Sequence, residues 1–289
     1  MEQGIIVKGT GGFYDVLTDQ GEVVTCRLRG RLRLEDERVL VGDRVLISCS
    51  EGKGVVEEVL PRSTALIRPP IANVEQVMVV TAAAQPDPIP LLFDRILVHV
   101  EKAGLQAFVV INKIDLAPDV AQELKKYYDS AGYNILLASA ASRQGLNEIK
   151  DCLADRITTL AGPSGVGKSS LINALEPGFS LETGDVSEKL GRGRHTTRTV
   201  SLLPLPWGGL IADTPGFSRL EMIGIEIEEL QHMFPEFEPF YGQCQFRGCL
   251  HRHEPNCRVK EAVEDGTIVR QRYEHYLLFL AEIEENKPY

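Results

Sequence analysis

Residues 162–170 read GPSGVGKSS, and that spacing of glycines, lysine and hydroxyls suits one task, gripping the phosphates of a nucleotide. Gly162, Gly165 and Gly167, with Pro163, Ser164 and Val166 between them, let backbone N–H groups turn inward onto phosphate oxygens. Lys168 reaches the β- and γ-phosphates, Ser169 offers its hydroxyl to Mg²⁺, and Ser170 completes the motif. The apolar run ITTLA precedes it and SLINAL follows, the strand, loop and helix order that the motif requires.

Asn112, Lys113, Ile114 and Asp115 close the apolar run AFVVI. A carboxylate at Asp115 accepts from both the N1–H and the 2-amino group of guanine, a donor pair that adenine lacks, so the motif selects GTP over ATP. Ser139 and Ala140, after NILLA, match a short loop whose backbone N–H meets the base O6. Asp213-Thr214-Pro215-Gly216 follows GLIA; Asp213 would hold Mg²⁺ through water and the Gly216 N–H would sense the γ-phosphate. Between the phosphate loop and this segment lies GRGRHTTRTV, glycine-rich, basic and hydroxylated. It reads as a switch in which Thr196 or Thr197 completes the Mg²⁺ shell when GTP is bound. Phe217 stands where many GTPases place a glutamine that orients the attacking water, and phenyl can do no such work. His195 is the catalytic candidate in its place; the competing reading is an exposed switch residue.

Cys244, Cys249, His251 and Cys257 fall within fourteen positions. Three thiolates and one imidazole suit tetrahedral Zn²⁺ with no open position, hence a structural role. His253 is the alternative imidazole. In an acidic segment that looks poor in apolar residues, the metal would supply much of the folding free energy. Near the N-terminus Arg27, Arg29, Arg31 and Arg33 alternate with Leu28, Gly30, Leu32 and Leu34. On a regular strand, period two puts all four guanidinium groups on one face, which suits an RNA backbone or, equally, a solvated face balanced by Glu35, Asp36 and Glu37. Gly30 would bend such a strand and split the stripe.

Elements must hold these groups in place. Residues 1–66 carry short β-rich runs with Gly and Asp turn signals at close spacing, a small β-barrel. PRSTALIRPP at 61–70 breaks that pattern as a linker. Beyond it, VEQVMVVTAA and AFVVINKID are solid apolar runs alternating with helical stretches at 91–103 and 119–131, the signature of an α/β domain on a mostly parallel sheet. The tail RQRYEHYLLFLAEIEE is a helix expected to pack on its own domain. The 289 residues are 43% hydrophobic and 25% charged, which excludes wholesale disorder. The net charge of -10 argues against nucleic-acid binding by the whole surface, so any such contact is local. With no membrane span or export signal the chain is expected to be cytoplasmic, with its clustered cysteines on metal rather than in disulfides.

The GTPase elements stand in an unusual order: NKID and ASA precede the phosphate loop and DTPG comes last. One sheet still forms if ancestral termini were joined and the chain reopened elsewhere, a circular permutation. The chain then runs from the γ-phosphate-sensing loop directly into the C-terminal segment.

This order, with the barrel before it and C-x4-C-x-H-x5-C after it, resembles the RsgA family across essentially the whole chain. The resemblance implies an α/β P-loop GTPase domain, circularly permuted, at 67–225, an N-terminal OB-fold barrel at 1–66 and a C-terminal, mainly helical zinc-binding domain at 226–289. It favours His251 over His253 as ligand, His195 as a catalytic residue and RNA binding by the arginines. It further implies GTP and GDP as substrate and product, Mg²⁺, one structural Zn²⁺, the small ribosomal subunit and its 16S rRNA as partners, and GTP hydrolysis stimulated by that subunit. A monomer is expected. The competing functions are a GTP-sensing RNA-binding module with incidental hydrolysis, and a permuted GTPase acting on another ribonucleoprotein such as the large subunit.

Overall fold

The computed structural model describes residues 1–33, 39–50, 53–67, 69–179, 200–215 and 221–286, and the side chains of most of them. His195, Thr196, Thr197, Gly216 and Phe217 lie outside the described residues, as does the side chain of Asp213. Among the described residues, one compact unit draws on 1–76, 150–160 and 200–215, and the other on 77–149, 161–179 and 221–286.

Five strands, β1 (Glu2–Thr10), β2 (Phe13–Thr18), β3 (Val23–Leu28), β4 (Arg44–Ser50) and β5 (Lys53–Val59), close into a barrel in the order β1-β2-β3-β5-β4. Gly11 and Gly12, both at positive φ, form the two-residue turn that pairs Thr10 with Phe13, the glycine-rich turn whose twist matches a hairpin. Alternation sends Ile6, Val16, Cys26, Val45, Ile47 and Val56 inward to one core.

The arginine row does not lie on one strand. β3 ends at Leu28, and Gly30–Arg33 forms a 3₁₀ turn closed by Leu32 N–H donating to Arg29 O at 3.0 Å. Arg27 stands on β3 with its guanidinium over the Phe13 ring, 4.6 Å from the centroid. Arg29 follows the strand and pairs with Glu57. Arg31 and Arg33 belong to the turn, where the period is three and the two-residue alternation is lost; Leu32 uses that turn to reach the barrel core.

The segment expected as a linker is ordered pairing. β6 (Ala65–Ile67) and β7 (Pro70–Ala72) make an antiparallel ribbon. Arg62 grips the fully buried Asp43 through two hydrogen bonds of 2.7 and 2.9 Å, and Asn73 donates to Gly42 O at 2.9 Å.

In one unit β8 (Gln76–Ala82), β9 (Gln106–Asn112) and β10 (Asn134–Leu137) stand in the order β10-β9-β8, and in the other β11 (Ile157–Ala161), β12 (Leu202–Pro204) and β13 (Leu210–Pro215) stand in the order β11-β13-β12. β10 lies parallel to β9 and β13 parallel to β11, while β12 pairs antiparallel. β8 and β11 are buried along their whole length, which explains why they lack alternation. Helices α1 (Pro90–Lys102) and α2 (Pro118–Asp129) open on proline, whose fixed φ and missing N–H suit the first helical position. α3 (Leu146–Leu153) and α4 (Lys168–Leu175) follow.

The C-terminal segment holds α5 (Arg258–Glu264) and α6 (Arg270–Glu285) with two 3₁₀ turns before them. It is not poor in apolar residues. Phe234, Phe237, Tyr276, Phe279, Leu280 and Ile283 build a core that Val98 of α1 joins, and the Phe237 and Tyr276 rings meet edge to face at 5.0 Å. Tyr276, Phe279, Leu280 and Ile283 come from α6, whereas Phe237 comes from the 3₁₀ turn Pro235–Phe240 and Phe234 from the junction just before it, where no helical period marks a buried face. α6 packs on its own segment, as expected, and also on α1. Within the core, Arg272 donates to Glu236 at 2.5 and 3.0 Å and to Asp94 at 2.8 Å, and Asp94 also meets His275 Nδ1 at 2.6 Å.

Candidate nucleotide site and metal centre

β11 delivers the chain into the loop 162–167 and α4 takes it up at Lys168. Gly162 has φ 136°, and a Cβ there would lie 2.1 Å from Val80 O; at Gly167, φ 94°, it would lie 2.3 Å from Asn112 Nδ2. Only glycine fits either place. Lys168 Nζ donates to the carbonyls of Gly162 and Pro163 at 2.8 and 2.6 Å, so its ammonium sits at the mouth of the loop. Burial holds it below its ordinary pKa, which strengthens its demand for an anion. Ser169 and Ser170 occupy the first turn of α4, half-buried.

Asn112, fully buried at the end of β9, joins three motifs. Its Nδ2 donates to Val166 O at 2.8 Å, and its Oδ1 accepts from Ala140 N–H at 3.2 Å. Lys113, at φ 61°, donates from Nζ to Gly165 O at 2.8 Å and to Gln85 O. Ile114 is buried and its N–H donates to Ala138 O, leaving Asp115 exposed at the rim. The buried Ser139 accepts from Ser142 N–H through its hydroxyl at 3.0 Å and donates its own N–H to Gln144 O. The NKID, ASA and phosphate loops are thus brought together by Asn112 and Lys113, with the Asp115 carboxylate exposed beside them. The backbone of Asp213 lies in β13, which runs parallel to β11.

The four metal-ligand candidates also converge. The sulfurs of Cys244, Cys249 and Cys257 and a ring nitrogen of His251 all lie within 4.8 Å of one another. Cys244 Sγ stands 3.9 Å from Cys257 Sγ, and His251 Nδ1 stands 3.6 and 3.2 Å from those two sulfurs. A tetrahedral zinc ion separates its sulfurs by about 3.8 Å and a sulfur from a nitrogen by about 3.5 Å, so the donor set fits. His253 is exposed and stays outside the group. Burial pushes the Cys249 thiol up to about 12, raises Cys257 and lowers His251; a cation at their centre reverses the penalty on the thiolates. Gln231, distant in sequence, lies 3.0 Å from His251 Nε2 through Oε1. No local spacing pointed to it.

Residues 59–223 match the family model described as RsgA GTPase, and residues 3–56 that described as RsgA N-terminal domain. The chain is 51% identical over 282 residues to the small ribosomal subunit biogenesis GTPase RsgA of Moorella thermoacetica, covering 97% of each. It is 45% identical over 297 residues to the protein of that name from Bacillus subtilis, covering 100% of this chain and 99% of the relative. Among solved structures, YjeQ from Thermotoga maritima superposes with a TM-score of 0.88 at 41% identity, covering 99% of both chains. YloQ, a circularly permuted GTPase, gives 0.86 at 41% identity, covering 100% of this chain and 97% of the other.

Proposed function

The chain belongs to the RsgA family of circularly permuted GTPases, and from that premise we propose that it binds the small ribosomal subunit and times its own release by hydrolysing GTP there. It is a GTP hydrolase of ribosome biogenesis. The observation that carries the site assignment is Asn112, hydrogen-bonded at once to the phosphate loop and to the Ala140 backbone: three motifs scattered in sequence share one buried side chain.

In this reading the phosphates lie against the backbone N–H groups of 165–169, and Lys168 exchanges its loop carbonyls for β- and γ-phosphate oxygens. Asp115 pairs with guanine N1–H and the 2-amino group, and the Ala140 backbone meets O6. Mg²⁺, when bound, neutralises charge on the β- and γ-oxygens; Ser169, Asp213 and Thr196 or Thr197 would hold it. The Gly216 N–H senses the γ-phosphate. His195 orients the attacking water, a task closed to Phe217. Cys244, Cys249, His251 and Cys257 hold one structural Zn²⁺. The OB barrel at 1–66 and the zinc segment at 226–289 flank the GTPase domain at 67–225 and contact 16S rRNA, the barrel through its arginines. The protein acts as a monomer in the cytoplasm. Among the described residues no helix is long and apolar enough to cross a membrane.

Hydrolysis measured alone, with small subunits and with large subunits tests this: stimulation by small subunits only is expected. Stimulation by neither would leave a nucleotide-binding module. Phe217 favours that second reading, and His195→Ala separates the two, because unchanged stimulated turnover would remove His195 from the chemistry.

A further inference from the structure

Gln231 holds its amide in one orientation. Its Nε2 donates to Glu228 O at 3.0 Å, and its backbone carbonyl accepts from Tyr241 OH at 2.8 Å. With the amide nitrogen committed, Oε1 is what faces His251 Nε2, at 3.0 Å. A carbonyl oxygen only accepts, so the imidazole must carry its proton on Nε2. Nδ1 is then the bare nitrogen, and it is Nδ1 that lies 3.2 Å from Cys257 Sγ and 3.6 Å from Cys244 Sγ. The ring is further boxed by Phe237 edge to face at 5.7 Å, and the His251 carbonyl accepts from Tyr273 OH at 2.6 Å.

We propose that Gln231 is the positioning residue of the metal centre, fixing His251 in the Nε2–H tautomer so that Nδ1 is the metal ligand. The inference rests on the zinc reading above. It extends it, because Gln231 stands twenty residues from His251 on a 3₁₀ turn of its own (Leu230–Met233), outside the ligand motif. A partner that accepts the free ring N–H of a ligating histidine orients the ring and raises its basicity, and its loss costs about 10–100-fold in metal affinity.

The test uses the full-length protein loaded with zinc alone and titrated with a chromophoric chelator. Gln231→Leu keeps the side-chain bulk but removes the acceptor; about 10–100-fold weaker zinc binding is expected. Gln231→Glu restores an acceptor and should recover most of that loss. In wild-type protein the His251 Nε2–H proton should be visible by NMR as a slowly exchanging ring signal, with Nδ1 carrying the metal-bound nitrogen shift. In Gln231→Leu the exchange should quicken. GDP affinity serves as the folding control and should match wild type in both variants. If Gln231→Leu folds yet holds zinc as tightly, or the metal-bound shift falls on Nε2, Gln231 does not position the ligand. If Gln231→Leu does not fold, Gln231→Glu and the ring spectrum decide alone. A wild-type chain that takes up no zinc would overturn the metal reading itself, a failure distinct from that of Gln231.

Discussion

Arg272 and Asp94 lie 178 residues apart in sequence and meet in the interior at 2.8 Å, with Arg272 1% exposed and Asp94 fully buried. Glu236 takes two further N–H groups of the same guanidinium, and the Phe234 ring lies 5.0 Å from its centre. The GTPase helix α1 and the C-terminal helix α6 are therefore joined by charge as well as by the apolar core around Val98.

Removing the guanidinium leaves the buried Glu236 and Asp94 without the cation that joins them, with only His275 still against Asp94. Arg272→Met should destabilise the protein by about 3–5 kcal/mol, read as a shift of the urea midpoint at constant slope. Arg252→Met, which breaks the half-exposed pair with Glu284, should cost under about 1 kcal/mol. Equal costs for the two would mean that the Arg272 cluster is hydrated.

Asn112 predicts a second separation. Asn112→Ala removes two buried hydrogen bonds that tie loops together, about 1–3 kcal/mol for each group left unpaired, and should weaken GDP and GTP alike by about tenfold or more. Asp115→Asn touches only the base: it should lose GTP affinity and gain xanthosine nucleotide, whose 2-oxygen accepts from the new amide. Fluorescent-nucleotide titrations with both bases check this. A general loss for Asp115→Asn, without the gain, would detach Asp115 from the purine.

Glu282 gives a pH-dependent signature. The hydrogen bond from Arg95 holds its carboxyl below the usual carboxylate value, with smaller help from the Met222 N–H. A depressed folded pKa adds stability that is present above the unfolded value of about 4.3 and is lost as pH falls through the folded value. The unfolding difference between wild type and Glu282→Gln should thus be about 0.2–1 kcal/mol at neutral pH and vanish as pH falls through the folded value. A difference constant from pH 7 to pH 3 would assign it to packing.

Legibility followed sequence distance. The phosphate loop, NKID, ASA and the cysteine and histidine cluster each sit in one short stretch, because a loop or turn supplies the whole donor set, and the types and spacing sufficed. Asn112 was read as part of a base motif, whereas its amide serves the phosphate loop and Ala140 equally; that role exists only after the end of β9 meets the loop 162–167. Arg272 was given no role, since its partners come from α1 and a 3₁₀ turn. Gln231 had no spacing to betray it. The arginine row keeps its alternation past Leu28, where β3 ends, and Gly30, read as splitting the stripe, was the signal of the 3₁₀ turn that breaks it.

That broken row predicts unequal arginines. Arg27 projects from β3 over an exposed Phe13 ring, a cation beside an aromatic face, which suits an RNA phosphate next to a stacked base. Arg29 is already engaged by Glu57, whose other oxygen accepts from Ser48 OH at 2.7 Å. Neutralising an arginine that meets phosphate removes one released counterion and lowers the slope of log affinity against log salt by about 0.7–0.9. Arg27→Ala should therefore weaken binding of the protein to small-subunit rRNA and flatten that slope by nearly one unit, while Arg29→Ala should change both much less. Glu57→Gln should free Arg29 and steepen the slope. Filter-binding or fluorescence titrations at several salt concentrations read all three, and equal slopes for wild type and Arg27→Ala would take this face of the barrel out of the RNA contact.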